Sequence, residues 1–158
     1  MITGYGIITS LGKNKEENAK ALFGGSTGIQ KFTFRYKDGD VESATGACIQ
    51  EMKTHPFFEN HKIPFDRATQ LALCAADECL EDSGFLISEI NPLRVGVVIG
   101  TSLGGMLSAD KFHTQWIEEG LESTDSDLLK QYPLHAITDI LAANYGFNGV
   151  KNVISSRS

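Results

Sequence analysis

The chain has 158 residues, of which 41% are hydrophobic and 22% charged, and its formal net charge is −6 at pH 7. This length and composition are typical of one water-soluble globular domain. The negative charge argues against nucleic acid or an anionic membrane as a partner, and no apolar run reaches the roughly 20 residues of a spanning helix.

The first predicted element is a short apolar strand over residues 2–8, punctuated by glycine. A strand that starts so early leaves no room for a signal peptide, so a cytoplasmic location is expected. Asn14 is predicted to cap a helix that carries Leu22 and Phe23 on one face and stops at residues 24–25.

Residues 32–59 mix aromatic, charged and turn-forming side chains, which predicts an irregular excursion with room for a hairpin. The clearest helix begins at the N-cap Asp66 and stops at Gly84. Its apolar positions are mostly alanine, so its packing partner is expected to approach closely. The acidic residues, among them Glu78 and Asp82, are expected on the solvated side.

Residues 94–100 form an almost continuous run of β-branched side chains, which predicts a strand covered on both faces. A glycine-rich turn follows. The next predicted helix covers residues 109–119 and directs Phe112, Trp116 and Ile117 inward.

The last predicted elements are a helix that begins at Pro133 and stops at Gly146, and a short strand at residues 153–154. The alternation of strands and helices predicts an α/β fold built on a layered sheet. The strands at residues 2–8 and 95–99 are expected to be parallel neighbours, joined by a right-handed crossover.

The turn from Gly100 to Gly105 follows a strand and precedes a helix, as phosphate-binding loops do. It has neither the lysine-containing ending of a P-loop nor the GxGxxG spacing, so close backbone approach is the favoured interpretation. A nucleotide-binding α/β module stays an alternative. The three cysteines and four histidines lack the spacing of metal ligands, so no metal and no cofactor are expected.

Five short motifs follow one another along the chain: ITGYGIITSLG at residues 2–12, STGI at 26–29, DRATQLAL with LEDSG within 66–84, RVGVVIGT with GG within 94–105, and YGFNG at 145–149. In this order they resemble motifs of the β-ketoacyl synthase family, the condensing enzymes of the thiolase-like fold. The resemblance implies an α/β, layered thiolase-like fold. The chain would form most of one half of a five-layered αβαβα architecture, as one N-terminal domain over residues 1–158.

The resemblance also aligns the final residues with the family's nucleophile. Where the family has a cysteine preceded by alanine, this chain has Ser158 preceded by Arg157. A serine hydroxyl is far less ionised than a thiol at neutral pH, so Ser158 is expected not to act as the nucleophile. Leu103, in the glycine-rich turn, falls where the family lines its acyl pocket, and an ordinary core leucine is the alternative.

The implied activity is that of a 3-oxoacyl-(acyl-carrier-protein) synthase, an acyltransferase that condenses malonyl-carrier protein with an enzyme-bound acyl chain in fatty acid or polyketide-type synthesis. Acyl carrier protein and the acyl and malonyl thioesters are the implied partners, with a second copy or another ketosynthase chain. The family's catalytic histidines and lysine match none of the residues here. The chain is therefore expected to be truncated at the nucleophile and inactive alone.

A non-catalytic partner subunit without the cysteine is the main alternative function. Under either interpretation the chain is expected to associate with another chain. The unpaired edge of the last strand and the residues Leu134, Ile137 and Leu141 of the preceding helix are expected to supply the contact.

Overall fold

The structure, a computed structural model, describes residues 1–35, 39, 41–49, 52, 54–64 and 66–155. The chain divides into two compact units. The first contains Met1–Lys53 and Ala75–Gly84, and the second contains Thr54–Cys74 and Phe85–Ser158.

Five α-helices and four β-strands form within the described residues. The helices are α1 (Lys15–Phe23), α2 (Pro56–His61), α3 (Arg67–Ser83), α4 (Met106–Glu119) and α5 (Ala136–Tyr145). The strands are β1 (Ile29–Arg35), β2 (Val41–Ala47), β3 (Val97–Gly100) and β4 (Lys151–Ile154). The order of helices and strands follows the sequence prediction, except at the start of the chain and at α2, which begins inside the segment predicted to be irregular.

Residues 2–8, all of them described, form no strand, so the prediction for this segment is wrong. Their backbone lies along the last turns of α3. The Tyr5 N–H donates to Asp82 Oδ2 at 3.1 Å, and the Ile7 N–H donates to Glu78 Oε2 at 2.8 Å. Carboxylates thus satisfy donors that a neighbouring strand would otherwise bind. Glu78 and Asp82 anchor this segment rather than forming a purely solvated face.

The close approach expected of the alanine-rich helix is confirmed at this contact. A Cβ built on Gly6 would overlap the backbone carbonyl of Ala75 and would lie 2.9 Å from the backbone nitrogen of Cys79. Only a residue without a side chain fits against the helix backbone at that distance.

The α1 helix begins and ends as predicted. The Asn14 side chain accepts a backbone hydrogen bond in the first turn at 2.9 Å, and a glycine follows the last helical residue. The apolar face is not buried, since Leu22 and Phe23 are both exposed. The buried residue is Asn18, whose amide donates to the carbonyl oxygens of Gly12 and Asn14 at 2.9 and 2.8 Å.

Strands β1 and β2 form an antiparallel hairpin, in register from Ile29 opposite Ala47 to Arg35 opposite Val41. The hairpin that the sequence allowed within residues 32–59 is therefore present, although its first strand starts earlier. The α2 helix follows it along the chain and belongs to the second unit.

The second unit is built on the parallel pair β3–β4, with Gly100 opposite Ile154. The predicted pairing of this strand with residues 2–8 is wrong, because β4 is its partner. The α5 helix packs against both strands and Val97 is buried. On the opposite face Val98 is 59% exposed and Ile154 is 62% exposed. The strand predicted to be covered on both faces is thus covered on one face within the described residues.

The core of the second unit combines apolar and polar side chains. Its apolar members are Phe57, Phe58, Leu73, Val97, Ala109, Phe112, Leu128, Ala136, Ile137, Leu141 and Ala142. Its polar members are Asp66, Thr69, Gln70, Ser108, Gln131 and Thr138. The prediction that alanines form the buried face of α3 is wrong. Its alanines are half-buried, and its fully buried residues are Thr69, Gln70 and Leu73.

The α4 helix starts at Met106, earlier than predicted, and ends at Glu119, directly before Gly120, as predicted. Phe112 is buried, whereas Trp116 and Ile117 are exposed. The prediction that all three point inward is therefore correct only for Phe112. Periodicity placed them on neighbouring positions of the helix, but only the tertiary packing decides how wide the covered stripe is.

The α5 helix starts at Ala136 rather than Pro133 and ends before Gly146, which adopts a left-handed φ of +71°. Ile137 and Leu141 are buried inside the chain, with 2% and 6% exposure. The expectation that they form an association surface is wrong, because the unit's own core already covers them.

Within the described part of the chain, every helix is too short or too polar to cross a lipid bilayer.

Candidate functional site

The glycine-rich turn and the end of the last strand meet at one edge of the β3–β4 pair. Because the strands are parallel, their carboxyl ends lie together, with Gly100 opposite Ile154. The Thr101 N–H donates to the Ile154 carbonyl at 3.0 Å, which continues the pairing into the turn. In α/β proteins, ligands bind outside such carboxyl ends. Residues 100–105 and 154–155 are called the carboxyl edge below.

Leu103 lies inside a closed turn and is not part of the core. The Thr101 hydroxyl oxygen accepts a hydrogen bond from the Gly104 N–H at 3.0 Å. Gly104 has a left-handed φ of +52°, a conformation that favours glycine. The Leu103 residue is 60% exposed, so the alternative of an ordinary core leucine does not fit the described chain. A role in an acyl pocket stays a prediction.

A buried carboxylate lies behind the turn. Asp66 is 1% exposed, and its Oδ1 caps α3 by accepting from the backbone N–H groups of Ala68 and Thr69 at 3.0 and 3.2 Å. Its Oδ2 accepts from the Ser108 hydroxyl at 2.8 Å. Buried charged groups are costly unless they are hydrogen-bonded, and these three donors meet that need. The Asp66–Ser108 pair thereby joins the first turn of α3 to the first turn of α4.

Gly105, the last residue of the turn, lies against the same pair. A Cβ built on Gly105 would lie 3.3 Å from Asp66 Oδ2 and would overlap the carbonyl oxygen of Gln131. The Gly105 carbonyl accepts from the Ser108 N–H at 3.0 Å. The end of the turn is therefore held between the Asp66–Ser108 pair and the 3₁₀ helix Ser126–Gln131.

The buried polar groups in this region are not all satisfied. Thr69 Oγ1 and Gln131 Oε1 are buried and have no hydrogen-bond partner among the described residues. Each such oxygen lowers stability relative to a paired one. The part of the core behind the turn therefore contains polar groups with and without hydrogen-bond partners, next to apolar side chains.

The second predicted site residue lies outside the described residues. Ser158 and its neighbour Arg157 both fall after residue 155, the last described residue. Ser155 follows β4 directly and is exposed. The structure therefore brings together the Leu103 turn and the start of the segment that leads to Ser158.

The chemistry of the carboxyl edge is uncharged. Its residues are glycine, threonine, serine, leucine and isoleucine, and the carboxylate behind it is buried and fully hydrogen-bonded. Among the described residues, no group of three or more His, Cys, Asp and Glu side chains is arranged to hold a metal ion. Leu103 and Ile154 are exposed there and give this uncharged edge an apolar surface.

Sequence reasoning missed the contact that supports the turn. It identified Asp66 only as a helix cap and did not identify Ser108. Their hydrogen bond joins residues 42 positions apart, and no local pattern marks a pair at that separation. The one signal in the sequence was that the cap of α3 is an aspartate. Serine or threonine would cap a helix as well, so the second carboxylate oxygen of Asp66 was free for another contact.

Comparison with known proteins gives a match along nearly the whole chain. Residues 1–157 match the family profile described as "Beta-ketoacyl synthase, N-terminal domain". The chain is 25% identical over 153 residues to "3-oxoacyl-[acyl-carrier-protein] synthase 2" of Synechocystis sp., a match that covers 96% of this chain and 36% of that protein. The chain thus spans about a third of the length of this curated relative.

Solved structures show the same architecture. The ishigamide ketosynthase/chain length factor superposes with a TM-score of 0.79 at 21% identity, over 98% of this chain and 39% of that chain. A type II polyketide acyl carrier protein in complex with its ketosynthase gives a TM-score of 0.72 at 17% identity, over 95% and 39%. At these identities the likeness concerns the fold.

Proposed function

Because the chain belongs to the β-ketoacyl synthase family and has a thiolase-like α/β fold, we propose that it supplies the acyl-binding part of a 3-oxoacyl-(acyl-carrier-protein) synthase. In the proposed reaction, an acyl group moves from the carrier protein's thioester to an enzyme nucleophile. Decarboxylation of malonyl-carrier protein then generates the carbanion that attacks the acyl-enzyme. Residues 1–158 act as one N-terminal domain in this proposal, and a cytoplasmic location stays a prediction.

The observation that carries the proposal is the composition of the carboxyl edge. The family resemblance assigns Leu103 to the acyl pocket and residue 158 to the acylated position. Leu103 is exposed at this edge, and β4 ends there four residues before Ser158. An acyl chain attached near residue 158 would therefore find an apolar side chain at the same edge.

The decisive experiment is acylation of the variant Ser158→Cys. Incubation with octanoyl-carrier protein should form a thioester at residue 158, with release of the free carrier thiol, and intact mass should rise by one octanoyl group. The unchanged chain should stay unmodified, because a serine hydroxyl is far less ionised than a thiol at neutral pH. The matched control is Ser123→Cys, which places a new exposed thiol outside the carboxyl edge and should stay unacylated. If S158C stays unacylated, the catalytic-domain proposal fails.

The chain on its own should not complete a condensation. The family's histidines and lysine, which handle decarboxylation and the oxyanion, match none of its residues, and position 158 holds serine. Acyl- and malonyl-carrier protein mixed with the purified chain should give no 3-oxoacyl product above a protein-free blank. Product above that blank would mean that the residues assigned here are not the reacting ones.

A second function, a non-catalytic partner subunit, is favoured by Arg157 and Ser158 in place of alanine and cysteine. Arginine is large and always charged, which suits a site that no longer accepts an acyl group. The partner would be another ketosynthase chain or a second copy. Mixing the chain with a full-length 3-oxoacyl-carrier-protein synthase should then give a complex and shift the length of its products.

The nucleotide-binding alternative is set aside, because the family match spans residues 1–157.

A further inference from the structure

The start of α3 uses a buried carboxylate where a simpler cap would serve. Asp66 Oδ1 alone accepts the backbone hydrogen bonds that cap the helix, from Ala68 and Thr69. Its Oδ2 takes no part in the cap and accepts instead from Ser108. The carboxylate is 1% exposed, and the hydrogen bond from Ser108 compensates for the burial of Oδ2.

Ser108 transmits that contact to the turn. Its hydroxyl is held by Asp66, and its backbone N–H donates to the Gly105 carbonyl at 3.0 Å. A Cβ on Gly105 would overlap the Gln131 carbonyl oxygen and would lie 3.3 Å from Asp66 Oδ2, so the 3₁₀ helix and the carboxylate together leave no free space there. The backbone of Gly105 is thus positioned by the Asp66–Ser108 pair and by the 3₁₀ helix.

Leu103 depends on these anchors because its own side chain is 60% exposed. The turn is closed at its start by the Thr101 hydroxyl. Near its end, a Cβ on Gly104 would lie 2.7 Å from Cδ2 of Leu134, so the backbone is in close contact there as well. The backbone anchors, rather than packing of the Leu103 side chain, therefore define where that side chain lies.

We propose that Asp66 is a positioning residue, which acts through Ser108 and Gly105 to hold Leu103 at the carboxyl edge and so sets the acyl-chain length that the domain accepts. This rests on the proposed function, in which Leu103 contacts the acyl chain. Asp66 does not touch the substrate, since both of its oxygens are engaged by the protein. Without the anchor Leu103 moves aside, and longer chains are accepted.

The test compares three variants of the full chain. Ser108→Ala removes the donor and leaves the α3 cap in place. Asp66→Asn keeps a cap and can still hydrogen-bond Ser108 through its amide. Its exchange rates and affinity ratio should therefore stay close to those of the unchanged chain. Asn91→Asp is the matched control, because Asn91 caps the 3₁₀ helix Pro92–Arg94, which is not one of the two anchors of Gly105.

Two quantities are measured on each variant. The first is amide hydrogen exchange of residues 103–105, which should be about tenfold faster in S108A than in the unchanged chain because a charged hydrogen bond is lost. The second is the affinity for hexadecanoyl-carrier protein divided by the affinity for octanoyl-carrier protein. This ratio should rise about tenfold in S108A, because one methylene more or less in an apolar pocket changes discrimination by about that factor. Both ligands titrate the same folded protein, so simple destabilisation cancels from the ratio.

Faster exchange with a changed ratio in S108A, together with values near those of the unchanged chain in D66N and N91D, supports the proposal. Unchanged exchange at residues 103–105 overturns it, and so does faster exchange with an unchanged ratio. If neither carrier protein binds the unchanged chain, the proposed function fails, while the exchange rates still decide whether Asp66 holds the turn. If S108A does not fold, D66N is compared with Asp66→Ser, which keeps a cap but loses the reach to Ser108.

Discussion

At the scale of single residues, the site depends on backbone atoms that lie too close together to admit a side chain. Gly105 is the clearest case, because the space beside its Cα is filled by the carbonyl oxygen of Gln131. The constraint is purely steric, since it arises from distance and not from a left-handed φ. It ties the end of the Leu103 turn to the 3₁₀ helix before α5.

Gly105→Ala should therefore lower the free energy of unfolding by about 1–3 kcal/mol, the usual cost of overpacking. Gly100→Ala is the matched control, because a Cβ at Gly100 would meet nothing within 4 Å. Urea unfolding monitored by circular dichroism gives both values. Equal stability of the two variants would contradict the close contact between Gly105 and Gln131.

At the scale of elements, α3 serves the two units through different chemistry. Its first turns carry buried polar contacts in the second unit, and its last turns bind the N-terminal segment in the first unit through Glu78 and Asp82. Lys15 forms an ion pair with Asp82, and both side chains are about one-quarter exposed, at 28% and 24%. This ion pair makes the attachment of residues 2–8 sensitive to pH.

The hydrogen bond from Lys15, followed by that from the Tyr5 N–H, lowers the pKa of Asp82 below its ordinary value of 3.8. The same bond to Asp82 raises the pKa of Lys15 above 10.5. The carboxylate's contribution to stability is present above 3.8 and is lost as pH falls through the lower folded value. The ammonium's contribution is present below 10.5 and is lost as pH rises through the higher folded value.

The protection factor of the Tyr5 amide, which compares its exchange rate with the intrinsic rate at the same pH, should therefore fall as the pH drops below 3.8, and Asp82→Asn should remove most of that fall. Nuclear magnetic resonance measures the Tyr5 amide directly. Glu81→Gln is the control, because Glu81 is exposed and lies one position before Asp82 on the same helix. A Tyr5 exchange profile that is the same in D82N and in the unchanged chain would rule out this ion pair as the anchor.

At the scale of the whole molecule, the described chain exposes apolar side chains on a sheet face. Val98 and Ile154 lie on the face of β3–β4 opposite Val97, and both are more than half exposed. Neighbouring apolar residues on the uncovered face of a sheet favour association. This face, and not the buried Ile137 and Leu141 of α5, is the source of the expected association.

The isolated chain should self-associate at micromolar concentration and bind a hydrophobic dye. The double variant Val98→Thr with Ile154→Thr should reduce both, as measured by static light scattering and dye fluorescence. Val41→Thr is the matched control, since Val41 is 56% exposed in the hairpin of the other unit and Val98 is 59% exposed. A monomer that binds no dye would show that the exposed face does not drive association.

The sequence alone determined the features that depend on neighbouring residues. The caps Asn14 and Asp66 and the glycine stops placed α1 and α3 within a residue or so, because capping involves atoms only a few positions apart. The five motifs identified the family for a similar reason, since their order can be read along the chain. The last strand followed from composition, whereas the sequence only left room for a hairpin within residues 32–59 and did not place its strands.

Only the tertiary structure decided the features that join distant residues. Residues 2–8 read as a strand, but carboxylates of α3 bind their backbone, so no sheet forms there. Trp116 and Leu103 have the apolar character of core residues and are exposed, because exposure depends on which elements cover them. The Asp66–Ser108 hydrogen bond spans 42 positions, and periodicity carries no information at that distance. Sequence patterns report local geometry, whereas burial and long-range hydrogen bonds exist only once the segments are brought together.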